Sequence, residues 1–180
     1  SQELLKKMVS FSRDHVFDIF FEGKEGLFFP PEFKCRDGKR LREYFTDQGA
    51  KVCDYDYDGK VFHADKFTAW YRSKEDAEAL FEILKADMDI IERGEGFWEG
   101  VPKGFSKASG IDELLRYLQK DLKDTISIGD SFNDVAMLQH TKESVLMGNG
   151  KEELKDMVTY VTADVTEDGV CQALEHFGLI

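Results

Sequence analysis

The 180-residue sequence is poor in positive charge: 24 Lys and Arg against 36 Asp and Glu leave a formal net charge of −12. That balance excludes a nucleic-acid surface, which needs basic patches to take phosphates. It also makes each cation beside an anionic ligand count for more, because the overall field repels anions. Cysteine is scarce too. Cys35, Cys53 and Cys171 are odd in number and lack a paired or metal-ligand spacing, so they read as reduced thiols of a cytoplasmic protein. No run approaches the roughly 20 apolar residues of a membrane span. The N-terminus lacks a basic region followed by an apolar stretch, so neither a membrane partner nor a signal peptide is expected. There is no internal repeat, low-complexity tract or flexible linker. His15, His63, His140 and His176 are scattered without metal spacing and read as surface or core residues. What is present is a 42% hydrophobic content, enough for a sizeable core in one or two domains.

A pass along the chain divides it near residue 100. Residues 2–14 read as a helix with Leu4, Leu5, Met8 and Phe11 on one face. Residues 15–22 and 25–29 read as strands parted by Gly23 and Gly26, and residues 38–48 as a helix. Residues 61–63 and 66–72 look extended, and residues 74–86 form a helix with Ala77, Leu80, Phe81 and Leu84 at buried spacing. Residues 88–92 and 97–101 close as a hairpin across Gly94 and Gly96. Two strands and one helix, twice over, predict an antiparallel sheet with its helices on one face. The aromatics Phe28, Phe29, Tyr55, Tyr57, Trp70, Tyr71, Phe97 and Trp98 fall on these strands, where sheet core explains them better than a binding wall. Arg36, Lys39, Arg40 and Arg42 read equally well as an anion-attracting patch or a solvated helix face. From Pro102 onward helix and strand alternate, as in a doubly wound α/β sheet.

The second half carries the chemistry. Thr125-Ile126-Ser127-Ile128-Gly129-Asp130-Ser131-Phe132-Asn133-Asp134 is an apolar run ending in a turn, which reads as a buried strand of a parallel sheet. It delivers two carboxylates and an amide to the strand's C-terminal end, where open α/β sheets bind ligands. Asp130 and Asp134 offer the hard oxygens that Mg²⁺ prefers, and Asn133 can donate hydrogen bonds to an anion. A plainer reading is a polar loop whose Asp and Ser cap a helix beginning near Val135.

The flanks favour chemistry. Lys103-Gly104-Phe105-Ser106-Lys107 opens an amphipathic segment with Ile111, Leu114, Leu115 and Leu118 at helical spacing. Downstream stand Val135-Ala136-Met137-Leu138, Ser144-Val145-Leu146-Met147-Gly148-Asn149-Gly150, Tyr160-Val161-Thr162 and Glu167-Asp168-Gly169-Val170. In this order and spacing, residues 97–180 closely resemble the C-terminal half of Cof-type members of the haloacid dehalogenase superfamily. Before Phe97 the resemblance is architectural. It implies an α/β fold: residues 101–180 as the C-terminal half of a Rossmann-like, doubly wound parallel core, and residues 1–100 as an α+β cap domain that supplies substrate contacts. It also implies an Mg²⁺-dependent phosphatase of sugar phosphates and other small phosphorylated metabolites, working through an aspartyl-phosphate. Lys107 matches the lysine that steadies the nucleophile and the transferring phosphoryl group. Asp130 matches the carboxylate that ligates Mg²⁺, and Asn133 the amide that contacts substrate phosphate. Asp134 matches the second carboxylate, a catalytic residue with Lys107 that supports the metal shell. The residue types suit phosphoryl transfer, which needs positioning and charge neutralisation.

The sequence departs from that family in one respect. The nucleophile motif Asp-x-Asp-Gly-Thr, expected before the cap, does not occur. Asp54-Tyr55-Asp56-Tyr57-Asp58-Gly59-Lys60 contains Asp-x-Asp-Gly, but Lys60 replaces the threonine and the preceding residues make a poor buried strand. The 46 residues between Lys60 and Lys107 are also too few for the intervening elements, so a tyrosine-rich hairpin turn is the better reading. The chain is therefore expected to hold half of an active site, to be inactive alone, and to self-associate or pair with an N-terminal segment. A phosphomutase-type phosphotransferase and a non-catalytic binding or regulatory fragment are the alternative functions.

Overall fold

The structure is a computed structural model describing residues 1–57, 62–94 and 96–180. It divides into two compact units, Ser1–Lys103 and Gly104–Ile180.

Unit 1 begins with helix α1 (Gln2–Asp14), whose N-cap Ser1 accepts the Leu4 N–H at 3.3 Å. Leu4, Met8 and Phe11 are buried along one stripe of α1. Strands β1 (Phe17–Gly23), β2 (Gly26–Phe29), β3 (Val52–Asp54), β4 (Lys66–Tyr71), β5 (Met88–Gly94) and β6 (Phe97–Pro102) build a sheet in the order β3-β2-β1-β4-β6-β5. Because side chains alternate along a strand, Phe17, Ile19 and Phe21 of β1 share one face. They form the core with Leu4, Met8 and Phe11 of α1 and with Ala77, Leu80 and Leu84 of α3 (Lys74–Leu84).

The opposite face is aromatic as well. Phe29, Phe20, Trp70 and Phe97, from β2, β1, β4 and β6, stack in a ladder with centroid spacings of 4.8, 5.9 and 5.2 Å. Helix α2 (Arg36–Asp47) covers part of this face, setting Phe45 against Phe20 and the backbone of Gly38 against Asp18. Helices therefore lie on both faces of this sheet, not on one, because both faces carry large apolar rings that need cover. The sheet is also not wholly antiparallel: α2 carries the chain across, so β3 pairs parallel to β2. Phe62 and His63 belong to no strand. Phe62 instead packs on Phe28 at 4.4 Å in the core. The hairpin turn expected at 58–60 lies outside the described residues.

The segment at residues 30–35 is tied down at Lys34 and Cys35. Buried Asp18 accepts the N–H groups of Lys34 and Cys35, each at 2.8 Å, and burial pushes its carboxyl up despite these bonds. The Lys34 ammonium donates to the carbonyls of Ser12, Arg13 and His15 at 2.5, 2.7 and 2.5 Å. Those carbonyls end α1, where a cation is favoured. Lys34→Met is expected to lower the stability of unit 1 by about 1–2 kcal/mol in denaturant unfolding. An unchanged midpoint would mean that water satisfies the three carbonyls equally well.

Unit 2 contains α4 (Lys107–Leu118), β7 (Ile126–Gly129), α5 (Val135–His140), β8 (Glu143–Leu146), β9 (Tyr160–Val161) and α6 (Gly169–His176). Strands β7, β8 and β9 are parallel and lie in sequential order. Leu138, Val145, Leu146, Leu154 and Ala173 are buried. The fold is α/β, a parallel sheet with helical connections accompanied by an α+β unit. Among the described residues no helix is long and apolar enough to cross a membrane.

Candidate active site at the ends of the parallel strands

Parallel strands leave their C-terminal ends as one edge, and the loops leaving β7, β8 and β9 meet there. Chain entry into the β7 loop depends on Gly129. A Cβ at that position would stand 2.7 Å from Cβ and 2.9 Å from Oδ2 of Asp134, so only glycine lets the Asp134 side chain fold back against the strand. Asp134, at the end of a short 3₁₀ turn over Phe132–Asp134, is thereby 3% exposed. Its Oδ2 accepts the N–H groups of Asp130 at 3.0 Å and Ser131 at 3.2 Å. Its Oδ1 accepts the Lys107 ammonium at 2.5 Å. Burial alone pushes the Asp134 carboxyl up, but the Lys107 bond and charge, with the two backbone N–H groups, outweigh it and hold the carboxyl below its ordinary range.

Lys107 is the first residue of α4, placed there by Ser106, whose hydroxyl caps the helix by accepting the Ser109 N–H at 3.1 Å. Its side chain is half exposed and engaged with Asp134 rather than simply directed to water. A second tie, Asp112 Oδ1 to His140 Nε2 at 2.6 Å, holds α4 beside α5. Asn133 accepts the Ser131 hydroxyl on Oδ1 at 2.7 Å, and its amide nitrogen has no protein partner among the described residues. Asp130 is exposed, and its carboxylate likewise has no partner among the described residues. Lys107, Asp130, Asn133 and Asp134 therefore gather at one edge, but with unequal duties. Asp134 is spent on protein donors, while Asp130 and the Asn133 amide stay available to a ligand. The decoy carboxylate Asp54 lies in unit 1, bound to Arg42 at 2.7 Å.

The loop after β8 carries no chemical motif of its own, only the turn signal of its Gly148-Asn149-Gly150 triplet. It ties all three strand ends together. Met147 and Lys151 donate backbone N–H groups to Gly129 O at 2.9 Å and Asp130 O at 3.0 Å. Gly148 donates to Ala163 O at 2.9 Å, and Asn149 Oδ1 accepts the Val165 N–H at 3.0 Å. The cavities of about 250–420 Å³ found in unit 1 include none of these residues.

Among the described residues no group of three or more His, Cys, Asp or Glu could hold a metal by itself. Mg²⁺ rarely asks for such a cage. It keeps several waters and is commonly held through one or two carboxylates plus substrate phosphate oxygens. Asp130 fits that partial role; Asp134, engaged at both oxygens, does not fit as a direct ligand.

Residues 1–174 match the family model described as haloacid dehalogenase-like hydrolase. The chain is 30% identical over 122 residues to the phosphatase YwpJ of Bacillus subtilis, covering 68% of this chain and 40% of that protein. It is 33% identical over 103 residues to the 5-amino-6-(5-phospho-D-ribitylamino)uracil phosphatase YcsE of the same organism, covering 57% and 41%. The solved structure of the subclass IIB sugar phosphatase BT4131 superposes on all of this chain and on 68% of its own, with a TM-score of 0.82 at 26% identity. The chain thus spans about two fifths of the length of these two curated relatives.

Proposed function

Because this chain belongs to the haloacid dehalogenase-like hydrolase family, we propose that it forms part of an Mg²⁺-dependent phosphatase acting on small phosphomonoesters of sugar-like alcohols. The observation that carries this reading is the division of labour between its two carboxylates. Asp134 is buried and holds Lys107 at 2.5 Å, while Asp130 stands exposed four residues earlier. A phosphoryl group at this edge would meet a fixed ammonium, the free amide donors of Asn133 and an anionic oxygen able to share a metal. Mg²⁺, when bound, supplies neutralisation of charge on the phosphoryl oxygens. Lys107 adds a donor whose position Asp134 fixes in advance, so little reorganisation is needed as charge develops. The names of the relatives support the substrate class, a ribityl phosphate in one and sugar phosphates in the other.

On this reading unit 1 is the cap and unit 2 the C-terminal half of the core, with the attacking carboxylate supplied by polypeptide outside these residues. The isolated 180-residue chain should then be inactive, since covalent catalysis needs its nucleophile. Asp130→Asn is the direct test of the metal assignment. It should weaken Mg²⁺ binding, read by titration calorimetry on an active phosphatase carrying this chain, by at least about tenfold, since even outer-shell partners are worth 10–100-fold. Turnover should fall in parallel. Unchanged Mg²⁺ affinity would remove Asp130 from the metal shell. Release of inorganic phosphate that is independent of an acceptor sugar would separate this reading from a phosphomutase.

A further inference from the structure

Helix α4 carries Lys107, and burial does little to hold it. None of its twelve residues is buried. Gly110 sits in its first half, and a glycine inside a helix costs about 1 kcal/mol relative to alanine. No atom lies within 4 Å of a Cβ built on Gly110, so no close approach calls for the glycine. Lys107 itself is half exposed at the end of a flexible four-carbon stem. Held at the ammonium alone, both the side chain and the helix behind it would pivot about Asp134.

A second contact stands where it stops that pivot. Among the described residues, two side-chain contacts of hydrogen-bond or ion-pair type join α4 to the rest of unit 2. Lys107 meets Asp134 Oδ1 at 2.5 Å, and Asp112 Oδ1 meets His140 Nε2 at 2.6 Å. Asp134 immediately precedes α5 and His140 is its last residue, so both contacts run between the same two helices. On α4 they are five residues apart, about 7.5 Å along the axis. An ionised carboxylate only accepts hydrogen bonds, so His140 presents Nε2 to Asp112 with its hydrogen in place. The end of α5 suits that donor, because the last carbonyls of a helix favour positive charge. Neither Asp112 nor His140 bonds to Asp130, Asn133 or Asp134, so their influence on the site passes through the helix. We propose that His140, acting through Asp112, is a positioning residue for Lys107: it fixes the direction of α4 and hence the point at which the ammonium meets a phosphoryl group. This rests on the phosphatase reading only for what the placed ammonium does, not for its placement.

Placement is read by magnetic resonance on the 180-residue chain with isotope-labelled lysine. A hydrogen-bonded ammonium keeps its proton signal, whereas one free in water loses it to exchange. The Lys107 signal, assigned by its absence in Lys107→Arg, should be present in the wild type and in His140→Gln, whose amide can donate to Asp112 as Nε2 does. It should be lost in His140→Ala and in Asp112→Ala. Both side chains are partly exposed, at 29% and 53%, so these variants should keep the fold by far-ultraviolet dichroism. In an active phosphatase carrying this chain, His140→Ala should lower turnover by about 10–100-fold, since a displacement of about 1 Å can cost 10²-fold. His140→Gln should restore most of it. In a Lys107→Ala background the same His140→Ala change should cost less than about twofold, because the two residues act as one unit. A role in stability alone would lower turnover equally in both backgrounds and leave the Lys107 signal in place. A Lys107 signal absent from the wild type, or retained in both alanine variants, would overturn the inference, as would equal losses in the two backgrounds. Loss of the signal in the variants, without phosphate release by the wild-type enzyme, would uphold the positioning role and count against the phosphatase reading instead.

Discussion

Replacing Lys107 by alanine in an active phosphatase carrying this chain is expected to lower turnover by about 10²–10³-fold, the usual cost of one preorganised charge-stabilising donor. Mg²⁺ affinity should change little, because lysine has three donors and no acceptor to offer a metal. Arginine should restore only part of the rate. Its planar fork would still meet Asp134 Oδ1 but would place its charge differently from a compact ammonium. The split between turnover and metal binding sets this outcome apart from that of Asp130→Asn, in which both fall. Near-normal turnover in Lys107→Ala would show that the lysine serves only to pair with Asp134, whose other oxygen is already bound by two backbone N–H groups.

Asp134 is expected to be the most costly single position in unit 2. Truncation to alanine removes the acceptor of the Asp130 and Ser131 N–H groups and the partner of Lys107, in a place 3% exposed. Losing a buried charged acceptor of this kind costs about 2–4 kcal/mol. Asp134→Asn should cost less, since it keeps a carbonyl oxygen, and it isolates the charge. Burial raises the Asp134 carboxyl but Lys107 and the N–H groups more than reverse that, so the folded value lies below the ordinary 3.8. A depressed carboxyl contributes stability that is fully present above pH 3.8 and is lost as pH falls through the lower folded value. Wild-type and Asp134→Asn stability curves should therefore converge in strong acid and separate above it. Parallel curves across that window would mean that the Lys107 and backbone N–H contacts only balance the cost of burying the carboxylate.

How much of this was legible from the residues depended on how local the cause was. Helix α1 and strands β5 and β6 follow from apolar spacing and glycine punctuation, and their observed limits differ from the expected ones by no more than two residues. The β7 loop was legible because an apolar run followed by Gly129-Asp130 states both the strand and its end. The unequal roles of Asp130 and Asp134 were not. The burial of Asp134 depends on Gly129 leaving room for its side chain, a matter of three-dimensional clearance. The cover on the second face of the unit 1 sheet is hidden in the sequence for a similar reason. Phe20 and Trp70 alternate with the core residues of β1 and β4, and a strand with large rings on both sides does not reveal that a third helix will cover the far one. Strand β3 was missed because its three residues, Val52–Asp54, owe their extended state to pairing with β2 and not to their own composition.

The aromatic ladder has a spectroscopic consequence. The chain has two tryptophans, and both lie in unit 1: Trp70 in the ladder and Trp98 in the core against Tyr71 at 5.0 Å. Unit 2 has none. Indole emission is therefore an optical label for one unit only, whereas peptide ellipticity counts both. When the chain is heated, coincident traces from the two probes would report one cooperative transition. A gap between them would be the melting of unit 2 seen by subtraction, without any label having been introduced.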